Sequence, residues 1–207
     1  MTDPEPSEAQ EPDATPAAGK SKRKKWMIRV GLVLAGLVVF LVLVRVFIAK
    51  PYEVPTDSMV PAIQPGDRVL ANRVIYDFRS IERGDIIVFS PPPSAIATCA
   101  PEPGVPFVKR VIGLPGDVVT IEGGVTRVNG IVYRVSGETK PEYSMSFPAV
   151  PKGDLLVLGD NRPNACDSHQ WVGNPPNPAV DPFVPKNNVI GEAEIIYWPL
   201  SRIGVLN

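Results

Sequence analysis

Histidine and cysteine are scarce in this chain, which has one histidine and two cysteines among 207 residues. A site built from several imidazole or thiolate ligands is therefore excluded, and no metal ion or other cofactor is predicted. A catalytic triad of serine, histidine and aspartate would have to use the only histidine, His169. Neighbouring side chains rarely hold one ion without more distant ligands, so we expect His169, two residues after Asp167, to be solvated or ion-paired.

Aromatic residues are absent from residues 1–19, which are rich in proline, alanine and acidic side chains. Such a segment has too little apolar surface to offset the entropy of ordering, and this predicts disorder. The basic cluster KSKRKK follows at residues 20–25. Basic clusters can bind nucleic acid, but a position directly before an apolar segment is typical of charge that flanks a membrane. We therefore predict a disordered cytoplasmic tail over residues 1–25, and no nucleic-acid partner.

One long apolar segment, WMIRVGLVLAGLVVFLVLVRVFIA, covers residues 26–49. Its uninterrupted core, Val30 to Val44, is shorter than the roughly 20 residues that a bilayer requires, but Arg29 and Arg45 can reach the headgroups and extend the span. A cleaved signal peptide is the competing interpretation, and the lack of an Ala-x-Ala-like site before Lys50 argues against it. We predict a single-pass anchor in the cell membrane, with the basic amino-terminal side in the cytoplasm and residues 50–207 outside it.

The two cysteines, Cys99 and Cys166, both lie in this outer region. An oxidising compartment permits a disulfide bond between them, whereas buried free thiols are the alternative. The sequence alone leaves both open.

Helical periodicity over three turns is lacking after residue 50, and turn signals followed by β-branched residues take its place. Four x-Gly-Asp turns, at residues 65–67, 83–85, 115–117 and 152–154, each precede such a run. Asn129-Gly130 is typical of a type I′ hairpin turn, and Ala193 to Trp198 reads as a last strand. Proline-rich residues 91–106 and 174–185 predict surface loops. The outer region is thus predicted to be one mostly antiparallel β domain.

Ser58 and Lys109 are the candidate catalytic pair of this domain. Ser58 follows the apolar segment closely in PYEVPTDSMVPAIQPGDR, and Lys109 lies in the apolar run PFVKRVIGLPGD. A serine hydroxyl needs a base to remove its proton, and a lysine can be that base only where burial disfavours its ammonium form. In an extended strand, Lys109 shares a side with Phe107 and Val111, which favours such burial. An ordinary exposed lysine is the alternative that the residues alone leave open.

Four motifs in order resemble those of type I signal peptidases. They are PTDSMVPAIQPGDRVLANR, RGDIIVFSPP, FVKRVIGLPGDVV, and GDNRPNACDSH followed by VIGEAEIIYWPL. With the preceding anchor, the resemblance runs from about residue 51 to residue 200, in a compact form like that of Gram-positive members. It implies a membrane-bound serine endopeptidase that removes signal peptides from exported pre-proteins after small residues at positions −3 and −1.

The resemblance also implies roles for individual residues. Ser58 would be the nucleophile, Lys109 the general base, and the Ser58 amide and Thr56 hydroxyl the donors that hold the oxyanion. Apolar residues would line the substrate pockets: Tyr52, Val54, Pro55, Ile63, Phe107 and Val108. Supporting residues would brace the site: Arg110, Asp160, Arg162 and Asp167. A Cys99–Cys166 disulfide would tie the lysine motif to the last motif.

Three positions depart from the family pattern. Asp57 stands where the family commonly has glycine, and we expect its carboxylate to point outward. Ala165 replaces a serine that helps to hold the lysine, and His169 replaces an arginine, which makes the pairing with Asp167 dependent on pH. These changes keep a second hypothesis open, a catalytically inactive membrane-tethered β module. Self-cleaving stress-response repressors have a related fold and chemistry, but they would need a DNA-binding domain in place of the anchor.

The partners implied are signal-peptide-bearing pre-proteins, the lipid bilayer and the vicinity of the secretion translocon.

Overall fold

Four glycine–aspartate turns open strands of the folded domain, as predicted. Gly66, Gly84, Gly116 and Gly153 have φ values between 86° and 103°, a region that glycine enters without a steric penalty. In three of the turns the aspartate side chain accepts a hydrogen bond from the backbone N–H three residues earlier. These bonds are Gln64 to Asp67, Glu82 to Asp85 and Leu114 to Asp117. The local chemistry of the turns therefore fixes where the strands begin.

A computed structural model describes residues 18–43, 49–173, 176–177 and 179–206. The chain divides into two compact units, the amino-terminal segment up to Leu43 and the remainder from Val44, which are described separately.

The first unit contains helix α1, Ala18–Leu43. It includes an 18-residue segment, Lys25–Val42, with a mean hydropathy of 2.1, long and apolar enough to cross a membrane. The helix begins earlier than the anchor predicted over residues 26–49, because lysine and arginine are good helix formers and the basic cluster continues the helix. At the other end Ala49 already belongs to a strand, not to the span. The predicted disorder of residues 1–17 lies outside the described residues.

The second unit is mostly antiparallel β structure, which confirms the predicted fold class. Its strands are β1 (Ala49–Glu53), β2 (Arg68–Asn72), β3 (Ile86–Phe89), β4 (Phe107–Gly113), β5 (Val119–Glu122), β6 (Val125–Val128), β7 (Ile131–Val132), β8 (Met145–Ser146), β9 (Asp154–Leu158), β10 (Val184–Pro185), β11 (Val189–Trp198) and β12 (Gly204–Val205).

Two sheets organise these strands. The larger sheet has the order β1-β2-β11-β3-β4-β9-β10, with β12 paired to β11, and the smaller has the order β7-β6-β5-β8. Asn129 and Gly130 both have positive φ, 52° and 79°, and join β6 to β7 as the predicted hairpin.

Both faces of the larger sheet are covered by apolar side chains. Alternate residues of β3 point to opposite faces, so Ile86 and Val88 join one cluster and Ile87 and Phe89 another. The first cluster also contains Met59 and Ile63, from the loop that follows β1. A third cluster includes Ile112 of β4, Leu156 of β9 and Val119 of β5, and so joins the two sheets.

The described residues of the second unit form three short α-helices: α2 (Ile75–Phe78), α3 (Pro93–Cys99) and α4 (Ser168–Trp171). Helix α3 corrects the prediction of a loop over residues 91–106. Pro93 lies in its first turn, where the missing N–H costs nothing, and Ala95 is buried against the core. The chain leaves the helix at Ala100 in a left-handed conformation, with φ of 44°. The described part of residues 174–185 is irregular up to β10.

Candidate functional site

The loop after β1 packs on the larger sheet and holds Ser58 in place. The Val54 N–H donates to the Asp67 carbonyl at 2.9 Å, which continues the β1–β2 pairing to the start of the loop. The loop then folds into a turn in which the Ile63 N–H donates to the Met59 carbonyl at 2.9 Å. Met59 and Ile63 have no exposed surface, so they anchor the turn in the core. Ser58 itself is only 5% exposed.

Lys109 lies on β4 at the point where the pairing with β9 stops. Strand β9 faces β4 only from Arg110 onward, so Lys109 lies just past the last paired residue. Its Nζ is 2.9 Å from Ser58 Oγ and 2.9 Å from the Val108 carbonyl. It also lies 5.2 Å from the centre of the Phe107 ring. The structure therefore brings together the two residues that the sequence singled out, which are 51 positions apart in the chain.

Burial changes the protonation of this lysine. Loss of solvation lowers the pKa of Lys109 from 10.5 to about 8, although the negative charges of Asp167 and Asp160 act in the opposite direction. About one-tenth of such amines are neutral at pH 7, compared with about one in 3,000 for a lysine in water. A neutral amine beside a serine hydroxyl can accept its proton.

Thr56 and Asp57 lie at the exposed mouth of the site. Thr56 Oγ1 is 3.1 Å from Ser58 Oγ, so the threonine hydroxyl is held on the same side of the loop as the nucleophile candidate. Asp57 is exposed, but its Oδ2 accepts a long hydrogen bond from Asn161 Nδ2 at 3.4 Å, so the carboxylate does not point wholly outward as expected. Asn161 donates to the Asp57 carbonyl at 3.1 Å and thereby holds the loop from beneath.

Asp160 is neutralised by Arg110 on β4. Arg110 Nε and Nη2 each donate to one Asp160 oxygen at 2.8 Å, and both side chains are nearly fully buried. Arg110 also donates to the Gly84 carbonyl at 2.8 Å. This bidentate pair attaches the segment after β9 to the strand that carries Lys109.

Arg162 does not reach Asp160 or Lys109. It is fully buried and pairs with Glu138, and its Nη1 donates to Thr126 Oγ1 at 2.8 Å. It therefore connects the last motif to the smaller sheet, and we assign its bracing role to that sheet.

Asp167 and His169 form a buried pair at the start of α4. Asp167 Oδ2 accepts from the Gly159 N–H at 2.7 Å, and Oδ1 accepts from the His169 N–H at 3.0 Å as a helix cap. His169 Nδ1 lies 2.6 Å from the same Oδ1. His169 is 9% exposed, so the structure excludes a solvated side chain and shows the imidazole paired with the Asp167 carboxylate.

A glycine and an alanine allow the last motif to approach Ser58. A Cβ atom at Gly159 would lie 2.4 Å from both the Ser58 carbonyl oxygen and the Ala165 Cβ. The Asn161 N–H donates to the same Ser58 carbonyl at 3.1 Å. Ala165 is fully buried at this contact.

The predicted pocket residues divide into two groups. One group belongs to the core cluster that contains Met59: Val54, Ile63 and Val108, with Tyr52 packed against them. Phe107 lies on the opposite face of the sheet, where its ring packs edge-on against Phe89. Ile63 has no exposed surface, so it can shape a pocket only from behind. Pro55 is exposed beside Thr56.

A disulfide bond joins Cys99 at the end of α3 to Cys166, with the Cα atoms 6.1 Å apart. It attaches the segment before β4 to the residue directly after Ala165. Among the described residues, no group of three or more acidic, histidine or cysteine side chains is arranged to hold a metal ion.

Sequence reasoning missed Asn161 and Tyr143. Asn161 lies in the GDNR motif and was given no role from the sequence. Its position two residues after Gly159, a glycine that allows close backbone approach, is the signal that could have pointed to it. Tyr143 stacks on His169 with ring centres 4.0 Å apart, and residues 131–150 carry no pattern that indicates this contact.

A buried serine hydroxyl against a desolvated lysine amine, on a mostly antiparallel β domain, defines a candidate serine hydrolase whose base is an amine. A model of the family described as "Signal peptidase, peptidase S26" matches residues 25–198. The chain therefore belongs to the signal peptidase family, and it is a peptidase by membership of that family.

Two named relatives match most of the chain. The chain is 38% identical to "Signal peptidase I" of Leptolyngbya laminosa over 95% of this chain and 92% of the relative. It is 39% identical to "Probable signal peptidase I-1" of Synechocystis over 87% of this chain and 84% of the relative. A crystal structure of a signal peptidase I from Enterococcus faecalis matches with a TM-score of 0.40 and 27% identity, over 55% of this chain and 97% of that one.

Proposed function

We propose that this chain is a signal peptidase that cleaves signal peptides from pre-proteins with Ser58 as nucleophile and Lys109 as general base. The observation that carries the proposal is the 2.9 Å separation between Lys109 Nζ and Ser58 Oγ in a buried setting. Buried lysines are rare unless a function needs them, because burial disfavours their charge.

The reaction would proceed through an acyl-enzyme. Neutral Lys109 takes the proton of Ser58 Oγ while the oxygen attacks the carbonyl carbon of the peptide bond. Lys109 then gives that proton to the departing amine, the C–N bond breaks, and the signal peptide stays attached to Ser58 as an ester. Lys109 next takes a proton from a water molecule, whose oxygen attacks the ester. Return of the proton to Ser58 frees the signal-peptide carboxylate.

The negative charge that develops on the carbonyl oxygen needs donors. The Thr56 hydroxyl and the Ser58 backbone N–H are our candidates, because Thr56 Oγ1 already lies 3.1 Å from Ser58 Oγ. Preorganised donors of this kind stabilise the transition state by about 3–4 kcal/mol each.

The substrate would bind as an extended strand beside β4. The register places β3 on one side of Phe107–Lys109, and β9 begins to pair on the other side only at Arg110. An added strand there would face the Ser58 loop, a form of β-augmentation. The apolar side chains of Val108 and Val54 are nearly buried, and we expect the remaining surface to admit only small residues at positions −1 and −3.

A membrane anchor would place this site near its substrates. The apolar segment in α1 supports the anchor, and the basic residues before it favour a cytoplasmic amino terminus with the catalytic domain on the other side. We infer that the enzyme acts at the bilayer surface, in the vicinity of the secretion translocon.

The test is cleavage of a signal-peptide-bearing precursor by the purified full chain in detergent, with the product mass read by mass spectrometry. We expect cleavage after a small residue, and none by Ser58→Ala or Lys109→Met. The matched controls Ser80→Ala and Lys152→Ala change exposed residues of the same types and should cleave normally. Inactivity of the parent protein would favour a non-catalytic β module, and undiminished cleavage by both site variants would remove the assigned pair.

A further inference from the structure

His169 is the chain's only histidine, and no step of the proposed reaction uses it. The imidazole is buried between two partners. On one side its Nδ1 lies 2.6 Å from Asp167 Oδ1, and on the other its ring stacks on Tyr143 at an interplanar angle of 5°. Histidine is the side chain whose charge changes most readily near neutral pH.

Asp167 connects this imidazole to the catalytic lysine. It is fully buried, and its second oxygen accepts from Gly159, the residue that approaches the Ser58 carbonyl. Among the charges that act on Lys109, that of Asp167 raises the pKa most, ahead of that of Asp160.

The two aspartates differ in how they are neutralised. Asp160 has a bidentate arginine, Arg110, whose charge does not change at any pH of interest. Among the described residues, the only ion-pair partner of Asp167 is His169. The charge of the Asp167 pair therefore depends on whether the imidazole is protonated.

We infer that His169 is a positioning residue that adjusts the basicity of Lys109 through Asp167, an inference that rests on the proposed function. A protonated imidazole neutralises Asp167 and leaves Lys109 more easily deprotonated. A neutral imidazole leaves the Asp167 carboxylate uncompensated, which holds Lys109 as the ammonium ion.

The phenol that stacks on the imidazole keeps a constant charge. Burial raises the pKa of the Tyr143 phenol, so the ring stacked on His169 stays neutral. Arg162 acts on Tyr143 with the opposite sign to Glu138, and these two form an ion pair of their own. Lys109 and His169 thus share one charged neighbour, Asp167, and ionisable groups that interact in this way titrate as a coupled pair.

The first test does not depend on cleavage. Coupling is reciprocal, so removal of the Lys109 charge must change the titration of His169 by the same amount. The single imidazole gives one set of NMR signals from the full chain labelled at histidine in detergent micelles. We expect its titration to move to higher pH in Lys109→Met, by about one pH unit, because a nearby positive charge is gone. Ser58→Ala keeps that charge and should titrate like the parent.

The second test uses the acidic side of the pH profile of kcat/KM. His169→Arg fixes a positive charge beside Asp167, and His169→Asn keeps a donor there without charge. We expect the profile of His169→Arg to lie about one pH unit below that of His169→Asn, a tenfold difference in kcat/KM on the rising side. The kcat/KM of the parent should rise less steeply with pH than that of either variant.

The outcomes separate this inference from the proposed function. An unchanged imidazole titration in Lys109→Met, or coincident pH profiles for the two His169 variants, overturns the coupling. If the titration moves but Lys109→Met still cleaves, the coupling stands and the catalytic assignment falls. If His169→Arg does not fold, the NMR comparison alone decides.

Discussion

Replacement of Lys109 by methionine is expected to abolish cleavage and yet to stabilise the folded protein at neutral pH. The native pKa of about 8 lies well below the 10.5 of an exposed lysine, because the charged amine loses its solvation in the folded state. A difference of about 2.5 pH units corresponds to about 3 kcal/mol that folding spends on the buried ammonium. Methionine has a similar shape and no charge, so it avoids this penalty. An opposing cost is the loss of the hydrogen bond to Ser58.

The stability difference between the parent and Lys109→Met should change with pH in one direction only. Below pH 8 the lysine is protonated in both states, and the penalty is constant. Between pH 8 and pH 10.5 only the unfolded state keeps the proton, so the stability of the parent protein rises by about 1.4 kcal/mol per pH unit relative to the variant. Above pH 10.5 the lysine is neutral in both the folded and the unfolded state, and the penalty is gone. Apart from His169, whose titration is expected to move in Lys109→Met, the other groups titrate alike in both proteins and cancel.

The assay is chemical denaturation of the full chain in detergent at a series of pH values from 7 to 10, followed by tryptophan fluorescence; Trp171 is 1% exposed and reports on the core. We expect the free energy of unfolding of the parent, minus that of Lys109→Met, to increase by about 2–3 kcal/mol across this range. A constant difference would refute the idea that burial depresses the pKa of this lysine. Lys152→Ala, at an exposed position, should show no such change.

Three further changes test the site and its supports. Thr56→Val replaces the hydroxyl with a methyl group of similar size and should lower kcat by about 100- to 1,000-fold with unchanged stability, whereas Thr56→Ser should retain activity; equal kcat values for Thr56→Val and the parent would contradict the oxyanion role of Thr56. Joint replacement of Cys99 and Cys166 by serine removes a link with a sequence separation of 67 and should lower the free energy of unfolding by about 2–4 kcal/mol relative to the oxidised parent. Equal stability of the parent with and without reductant would show that the bond is absent. Gly159→Ala places a Cβ 2.4 Å from the Ser58 carbonyl oxygen and should cost about 1–3 kcal/mol along with most of the activity, while Gly204→Ala, whose nearest contact is at 3.8 Å, should be neutral; a neutral Gly159→Ala would contradict the close approach described.

Local signals in the sequence predicted most strands of the domain. The glycine–aspartate turns and the Asn129-Gly130 hairpin depend on backbone conformations that few residues adopt, so they can be recognised without tertiary contacts. Helix α3 was missed because its stability comes from Ala95 packing on the sheet, and a proline-rich string gives no sign of that. The first turns of α1 were missed because a charged segment next to an apolar one was treated as a separate region.

In the candidate site too, residues within local motifs were predicted, and contacts that depend on the fold were not. Ser58 and Lys109 were identified from ordered motifs, and their separation in space then came from the fold. Arg162 was expected to brace the site, and it pairs with Glu138 and contacts the smaller sheet, because nothing in GDNR tells which acidic partner an arginine meets. The stack of Tyr143 on His169 joins a loop to helix α4, and such a contact leaves no periodic trace in the sequence.

The strand order of the larger sheet has a consequence for when the enzyme becomes able to act. Ser58 follows β1 and Lys109 lies on β4, and between them in the sheet stand β2, β11 and β3. Strand β11, residues 189–198, follows β2, β3 and β4 in the chain, yet it pairs with both β2 and β3. The candidate nucleophile and base therefore lie on two separate pieces of sheet until β11 pairs between them. With Ser58 and Lys109 in the proposed roles, we expect a partly folded chain that lacks β11 pairing to have no proteolytic activity.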